Sequence, residues 1–466
     1  MGVDEEREDR LAQVTSHASL IRAQLPVMLK RLTKIADPRN PKKTKHKMAS
    51  LFIYGILMFV FQFSSRRQVN REMTRPQFKD SLAEIFPELE EIPHADTLYR
   101  LLRDLEDINE LEEVYLEMFN RLIRKKKFQR YLIDDCYPLS IDGSQKLVAD
   151  HLWENELLQR RVGQALSPER LAEGEIQKHQ YYVYVLEASM CFANGMVIPF
   201  FTEFLEYDAN HENENKQDCE LRAFHRLADR IKKRFPRLRI MLLLDGLYAN
   251  RPVMKKCRQY HWQYMIVLKS GSLSTVWDEI HGLRPLHPKN RHQRTWGDRH
   301  QDFWWVNDIR YETSPNGKTF LTLYVVGCDE TWETVNEQGE IEIKAKSHVW
   351  LSSHPLKASN LHERCNLGAR HRWGIEANFL VEKHQGYSYE HYFATDWNAM
   401  KGYHFLMKIG HCLNVLARFC EQMSVAFATM GVRPLLRFIR ETYAAPWLIP
   451  EQVRERLGRK FQLRLE

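Results

Sequence analysis

The chain has 466 residues, enough for two or three domains, and 44% of them are hydrophobic, enough for a sizeable core. Its 68 Lys+Arg against 61 Asp+Glu leave a net charge of +7, too mild a balance to establish a polyanion partner by itself. The eight cysteines show no CxxC pair or other close metal spacing, which excludes a zinc site or disulfide framework and reads as reduced thiols in a cytoplasmic protein.

The acidic opening, MGVDEEREDR, does not read as a signal peptide. The apolar run LFIYGILMFVF at 51–61 is too short to span a bilayer and is expected to form a buried helix. Residues 1–130 are expected to be a helical, DNA-end-binding domain, with breaks at Pro38, Pro41, Pro76, Pro87 and Pro93. Within it SRRQVNREM, PQFKDSLAEIF and DTLYRLLRDL look like short helices joined by tight turns, an arrangement that permits helix-turn-helix contact with DNA and that purely structural bundles share. Basic runs recur at 39–47 (RNPKKTKHK), 121–130 (RLIRKKKFQR) and 454–460 (RERLGRK). Each alone reads as a solvated surface; three of them outside the central region favour a nucleic-acid partner.

From residue 139 the pattern alternates between strands and helices. YPLSID is a first strand, and YYVYVLEASMCF with MVIPFFTEFL form a hairpin about Ala193-Asn194-Gly195. Helix DCELRAFHRLADRIKKRF, strand RIMLLLD, helix ANRPVMKKCRQY and strand WQYMIVLK follow. This order gives an α/β class with an RNase H-like core, whose first part covers 131–275. A β-rich insertion is expected at 276–355, where HQDFWWVNDIRYE, KTFLTLYVVGCDE and KSHVWLSSH are separated by SPNGK and VNEQGE turns. Residues 356–425 carry a charged helix, RWGIEANFLVEK, and a long, largely buried helix or helix pair; 426–466 form a basic helical tail.

Three carboxylates stand out. Asp142 and Asp245 each end an apolar run and precede a glycine, which holds a carboxylate rigidly at the rim of a sheet. In a continuous helix Arg372, Glu376 and Lys383, at offsets of 4 and 11, fall within roughly 40° of one another, and Trp373, Phe379 and Leu380 turn away to pack. Such an oxygen-rich set, Asp142, Asp245 and Glu376, selects Mg²⁺ or Mn²⁺, and two such ions can clamp the oxygens of an in-line phosphoryl transfer. Rival acids are less favoured: Asp134 and Asp135 precede the strand, and Glu382 lies off the Arg372–Lys383 face. Asn250 and Tyr248 read first as caps of the following helix. His211, His225, His261 and His371 form no compact ligand spacing.

With these residues on the page, the chain resembles the DDE-type transposases of bacterial insertion sequences, in the cut-and-paste branch with a Tyr-x2-Arg-x3-Glu-x6-Lys signature. Arg372, Glu376 and Lys383 match with the spacing intact, whereas the tyrosine position is Ala369. SIDGS, KQDCE and LLLDGLYAN match as well, and the likeness covers roughly 130–425. The resemblance implies a nucleoid-associated enzyme that binds terminal inverted repeats and catalyses strand cleavage and strand transfer as a homodimer across two DNA ends. It implies metal binding by Asp142, Asp245 and Glu376, phosphate contacts from Arg372 and Lys383, and an insertion lying over the DNA end. Trp304 or Trp305 is then a stacking platform for a displaced base, with core packing expected for at least one of the pair. A nuclease of the same fold that never joins strands, or an idle DNA-binding descendant, remain alternatives.

Overall fold

The computed structural model describes residues 2–89, 91–206, 220–312 and 319–466. The SPNGK turn, His211, Cys219 and the first four residues of KQDCE lie outside them.

The first 130 residues are helical as expected: α1 (Val3–Leu32), α2 (Met48–Val60), α3 (Arg66–Met73), α4 (Pro76–Ile85), α5 (Ala95–Asp104) and α6 (Glu110–Arg124). Local chemistry sets the starts, with the Ser65 side chain accepting from Gln68 N–H ahead of α3 and Pro76 at the first position of α4, where its missing N–H costs nothing. The run at 51–61 is apolar all round, and α2 is buried on every side accordingly. Its main partner is α12 (Trp397–Arg418), a single helix started by Asp396, whose carboxylate accepts from Ala399 N–H at 2.8 Å. The tail is also helical, α13 (Ser424–Met430), α14 (Val432–Ala444) and α15 (Pro450–Gly458), and α14 and α15 pack on α1 and α4. Among the described residues no helix is long and apolar enough to cross a membrane.

The remaining strands form one large mixed sheet. They are β1 (Tyr137–Ala149), β2 (Leu158–Arg161), β3 (His179–Cys191), β4 (Val197–Leu205), β5 (Ile240–Leu244), β6 (Gln263–Val267), β7 (Arg291–Trp296), β8 (Arg299–Glu312), β9 (Phe320–Val335) and β10 (Ile341–Ser352). Their order is β2-β3-β1-β5-β6-β10-β9-β8-β7, with β4 also paired to β3. The β1–β5 and β5–β6 pairs are parallel and the others antiparallel. β5 is buried on both faces: Leu242 and Leu244 join the main core, while Met241 and Leu243 join a second cluster with Met265, Trp305, Trp350 and Cys365. A doubly buried strand needs a continuous apolar run, which IMLLL supplies. Helix α8 (Glu220–Arg234) packs on β3 and β4, α9 (Arg251–Tyr260) on β6 and α11 (Gly374–His384) on β1 and β3; the short helix α7 (Pro168–Ala172) precedes α8, and α10 (Ser274–Leu283) follows β6 in the chain.

One expectation changes, and two features were not foreseen. β1 continues seven residues past Asp142, so that residue sits within a strand and not at its end. The β-rich stretch is joined edge-on to the central sheet, because Trp350, Leu351 and Ser352 of β10 pair with Val267, Ile266 and Met265 of β6. β2, with its exposed polar pattern, carries no sequence signal strong enough to be read as a strand.

Candidate active site

Strand pairing aligns the two aspartates. β1 and β5 run parallel with Ser140 opposite Leu243 as their last pair, and continuing that register by two residues sets Asp142, still within β1, level with Asp245, just past the end of β5. Asp142 is partly buried, and its Oδ1 accepts from its own neighbour, Gly143 N–H, at 2.9 Å. Burial pushes its carboxyl up to about 6; the Gly143 bond works against that, the charges of Glu220 and Glu376 add to the rise, and Arg372 opposes it. Asp245 follows β5 directly and caps the turn Gly246–Tyr248, its Oδ1 accepting from Leu247 N–H at 2.8 Å. Lys269 Nζ lies 3.6 Å from its other oxygen, and the Lys269 stem crosses Gly246 so closely that a Cβ there would meet it at 2.8 Å.

The charged helix does not begin where its spacing predicts. A π-helical turn (His362–Gly368) leads into a tighter 3₁₀ turn (Ala369–Trp373), and α11 starts only at Gly374. Arg372 therefore lies outside the helix, and a uniform helical wheel does not apply to it. Arg372 Nη1 nevertheless donates to Glu376 Oε1 at 2.8 Å. Its guanidinium is buried, stacks 4.4 Å from the Trp373 ring centre, and leaves Nε without a partner. Lys383 pairs instead with Glu390 at 2.9 Å beside the Tyr389 ring. Of the residues expected to pack behind this stripe, Phe379 is buried, but Trp373 is 59% and Leu380 57% exposed.

Two buried ion-pair groups hold this segment from either end. At its start, Arg370 grips Glu330 of β9 through both carboxylate oxygens (3.1 and 2.5 Å), and Arg299 adds a third bond at 2.7 Å. Against the upward pull of burial, the Arg370 bonds hold the Glu330 carboxyl down to about 2. At its end, Glu382 meets Lys408 Nζ at 2.7 Å and His411 Nδ1 at 2.8 Å, and Lys408 reaches on to Glu187 of β3 at 2.9 Å. Glu382 is thus a structural ion pair, in keeping with its place off the Glu376 side.

The donor chemistry of Asp142 and Asp245 suits a hard divalent cation, since two carboxylates share one level and, among the described residues, no cation is bonded to Asp142. Glu376 lies within electrostatic reach of Asp142 but is tied to Arg372. Among the described residues no group of three or more His, Cys, Asp and Glu is already gathered for a metal ion. The residues fit such an ion as a pair, with Glu376 the third donor only on leaving Arg372.

Trp304 and Trp305 face opposite sides of β8, and both are 7% exposed. Trp304 packs over Gly327 with the Arg284 guanidinium 4.2 Å from its ring, and Trp305 belongs to the second cluster. Asn250 caps α9, accepting from Val253 N–H at 3.1 Å. Two residues near the aspartates were given no role by sequence, Lys269 at the end of WQYMIVLK and Glu220, the last residue of the matching KQDCE stretch.

The basic runs are not equally free. Lys127 Nζ bonds Leu463 O at 2.5 Å and Arg130 bonds Leu465 O, while Arg454 and Arg456 pair with Glu84 and Glu8. Lys42, Lys43 and Lys47 are exposed.

Residues 29–118 match the family model described as DDE_Tnp_1-associated. The match covers α2 to α5 whole and parts of α1 and α6, and it points to a DDE-type transposase family. No curated protein matches the chain.

Proposed function

We propose that this chain is a DNA transposase of the DDE type, with Asp142, Asp245 and Glu376 as its catalytic carboxylates on an RNase H-like core. The observation that carries the reading is the common level of Asp142 and Asp245 on parallel neighbours, with Glu376 close enough to act on Asp142. The matched segment at 29–118 supports the same family from a separate part of the chain.

Mg²⁺ or Mn²⁺, as one or two ions held by these carboxylates, would supply Lewis-acid activation of the attacking and leaving oxygens. The chain's own residues prepare the site. Asp142 is held within β1 opposite Glu187 of β3, Asp245 caps the turn after β5, and both accept from backbone N–H groups, so little order has to be created on binding. Arg372 retains one buried donor, Nε, which supports contact with a phosphate oxygen. Lys269, 64% exposed in its side chain, adds a cation on the Asp245 side. Lys383, next to Glu390, is the weaker phosphate contact. The helical domain and the exposed lysines at 42–47 would bind the element's ends, the β7–β10 stretch would cover them, and work on two ends would need a homodimer.

The test is cleavage of DNA carrying the inverted repeats that flank the coding region. Asp142→Asn, Asp245→Asn and Glu376→Gln should abolish Mg²⁺-dependent cutting while retaining end binding, and Asp135→Ala, an exposed residue paired to Arg239, should stay active. Wild-type cutting by any of the three would remove that residue from the site. Insertion products in target DNA separate a transposase from a nuclease of the same architecture.

A further inference from the structure

Glu220 of α8 links β3, the neighbour of the strand that carries Asp142, to the turn that Asp245 caps. Its Oε1 accepts from the Tyr248 hydroxyl at 2.6 Å and its Oε2 from the Tyr184 hydroxyl at 3.4 Å. Tyr248 is fully buried at the end of the turn that Asp245 caps, and its ring packs 5.3 Å from Phe224 of the same helix. Tyr184 belongs to β3 and crosses β1 directly beside Asp142: a Cβ added to Gly143 would lie 2.3 Å from the Tyr184 oxygen. Glycine at 143 is what lets this ring reach Glu220.

We propose that Glu220 is a positioning residue, which holds Asp142 and Asp245 at their common level by anchoring Tyr184 against β1 and Tyr248 against the turn after β5. The proposal rests on the reading of the two aspartates as divalent-cation ligands. Glu220 acts through the tyrosines, so the property that matters is a hydrogen-bond acceptor at this point, and its loss should let the aspartates separate.

Mn²⁺ is the probe, titrated into the full-length protein and followed by the paramagnetic resonance of the free ion, with Asp142→Ala marking what the site binds. Glu220→Ala should weaken Asp142-dependent binding by about tenfold, the range found for partners behind metal ligands. Glu220→Gln keeps a carbonyl oxygen to accept from the Tyr248 hydroxyl and an amide N–H that can donate to the Tyr184 oxygen, so both links persist and it should stay close to wild type. The Tyr184→Phe/Tyr248→Phe double variant should match Glu220→Ala, and at saturating Mn²⁺ both should cleave DNA near the wild-type rate, so that the metal requirement moves and the maximal rate does not. A glutamine variant as weak as the alanine variant would make the charge itself the active property and overturn the proposal. So would a double tyrosine variant that binds like wild type, and this variant decides the matter if Glu220→Ala does not fold. Wild-type protein that binds Mn²⁺ no better than Asp142→Ala would instead refute the metal reading of the aspartates, and the proposal with it, without any Glu220 variant being involved.

Discussion

Glu382, six residues beyond Glu376 on the same helix, is fully enclosed and meets Lys408 of α12 at 2.7 Å. The Lys408 charge and the His411 bond hold its carboxyl well below the usual range although burial pulls it up. Two charges taken out of water in this way add little net stability as a pair, but either one left alone is costly. Lys408→Met should therefore destabilise the protein by about 3–5 kcal/mol, since it removes the lysine shared by Glu382 and Glu187 and leaves them with bonds to neighbours such as His411 and Thr202. The triple change Lys408→Met/Glu382→Gln/Glu187→Gln should recover much of that loss. Urea denaturation of the three proteins checks this, and equal losses in the single and triple variants would contradict it. Because α11 carries Glu376, the single variant should also cut DNA more slowly below its melting temperature.

Asp142 gives a pH signature that does not depend on turnover. Its carboxyl sits near 6 in the fold against 3.8 ordinarily, because burial disfavours the charged form. A carboxyl whose folded value is raised contributes stability that is complete below about 4 and is lost as pH rises through about 6. Asparagine removes the titration without changing the size of the side chain. Asp142→Asn in EDTA should thus melt above wild type at pH 7.5, with the gap shrinking towards pH 4. A gap that does not vary with pH would show that Asp142 is not held against its charge.

The local setting of the candidate carboxylates was partly legible in the sequence, and for physical reasons. An apolar run that ends in aspartate and glycine can hardly be anything but a buried strand delivering a carboxylate to a rim, and Asp245 is placed that way. The strand at Asp142 was placed correctly but ended too soon, because SQKLVA after it is too polar to look like a strand that packs. Arg372 and Glu376 do meet, although the shared helical face drawn for them does not exist where Ala369–Trp373 winds more tightly. What escaped depends on distant partners. Glu187, Glu382 and Lys408 are isolated charges in apolar surroundings, and only the folded chain brings them together. The pairing of β10 with β6 spans some 85 residues, and no local pattern encodes it.

Trp304 and Trp305 should act first through packing. Each ring is buried on its own side of β8, Trp304 beneath Arg284 and over Gly327, Trp305 among Met265, Val326 and Trp350. Trp304→Ala and Trp305→Ala should each lower stability by about 3–5 kcal/mol, as truncation of a buried tryptophan does. Denaturation curves measure it. A variant that keeps its stability, yet nicks the first strand normally and fails at later steps, would instead support capture of a displaced base by that ring.

The three basic runs should separate into DNA contacts and internal fasteners. Lys42, Lys43 and Lys47 are exposed on the segment between α1 and α2, within the matched region, and each phosphate they neutralise releases counterions. Lys42→Ala and Lys43→Ala should weaken end binding and flatten the slope of log K against log salt by about one unit per lost contact. Lys127 and Arg130 are spent on the Leu463 and Leu465 carbonyls, which tie the C-terminal segment to the end of α6. Their alanine variants should leave the salt slope alone and lower the melting temperature, because each leaves a carbonyl without its charged donor. Salt titrations and thermal melts on the same four proteins give the answer. A flattened slope for Lys127→Ala or Arg130→Ala with an unchanged melting temperature would move the DNA surface to that run, and unchanged slopes for Lys42→Ala and Lys43→Ala would remove it from the segment between α1 and α2.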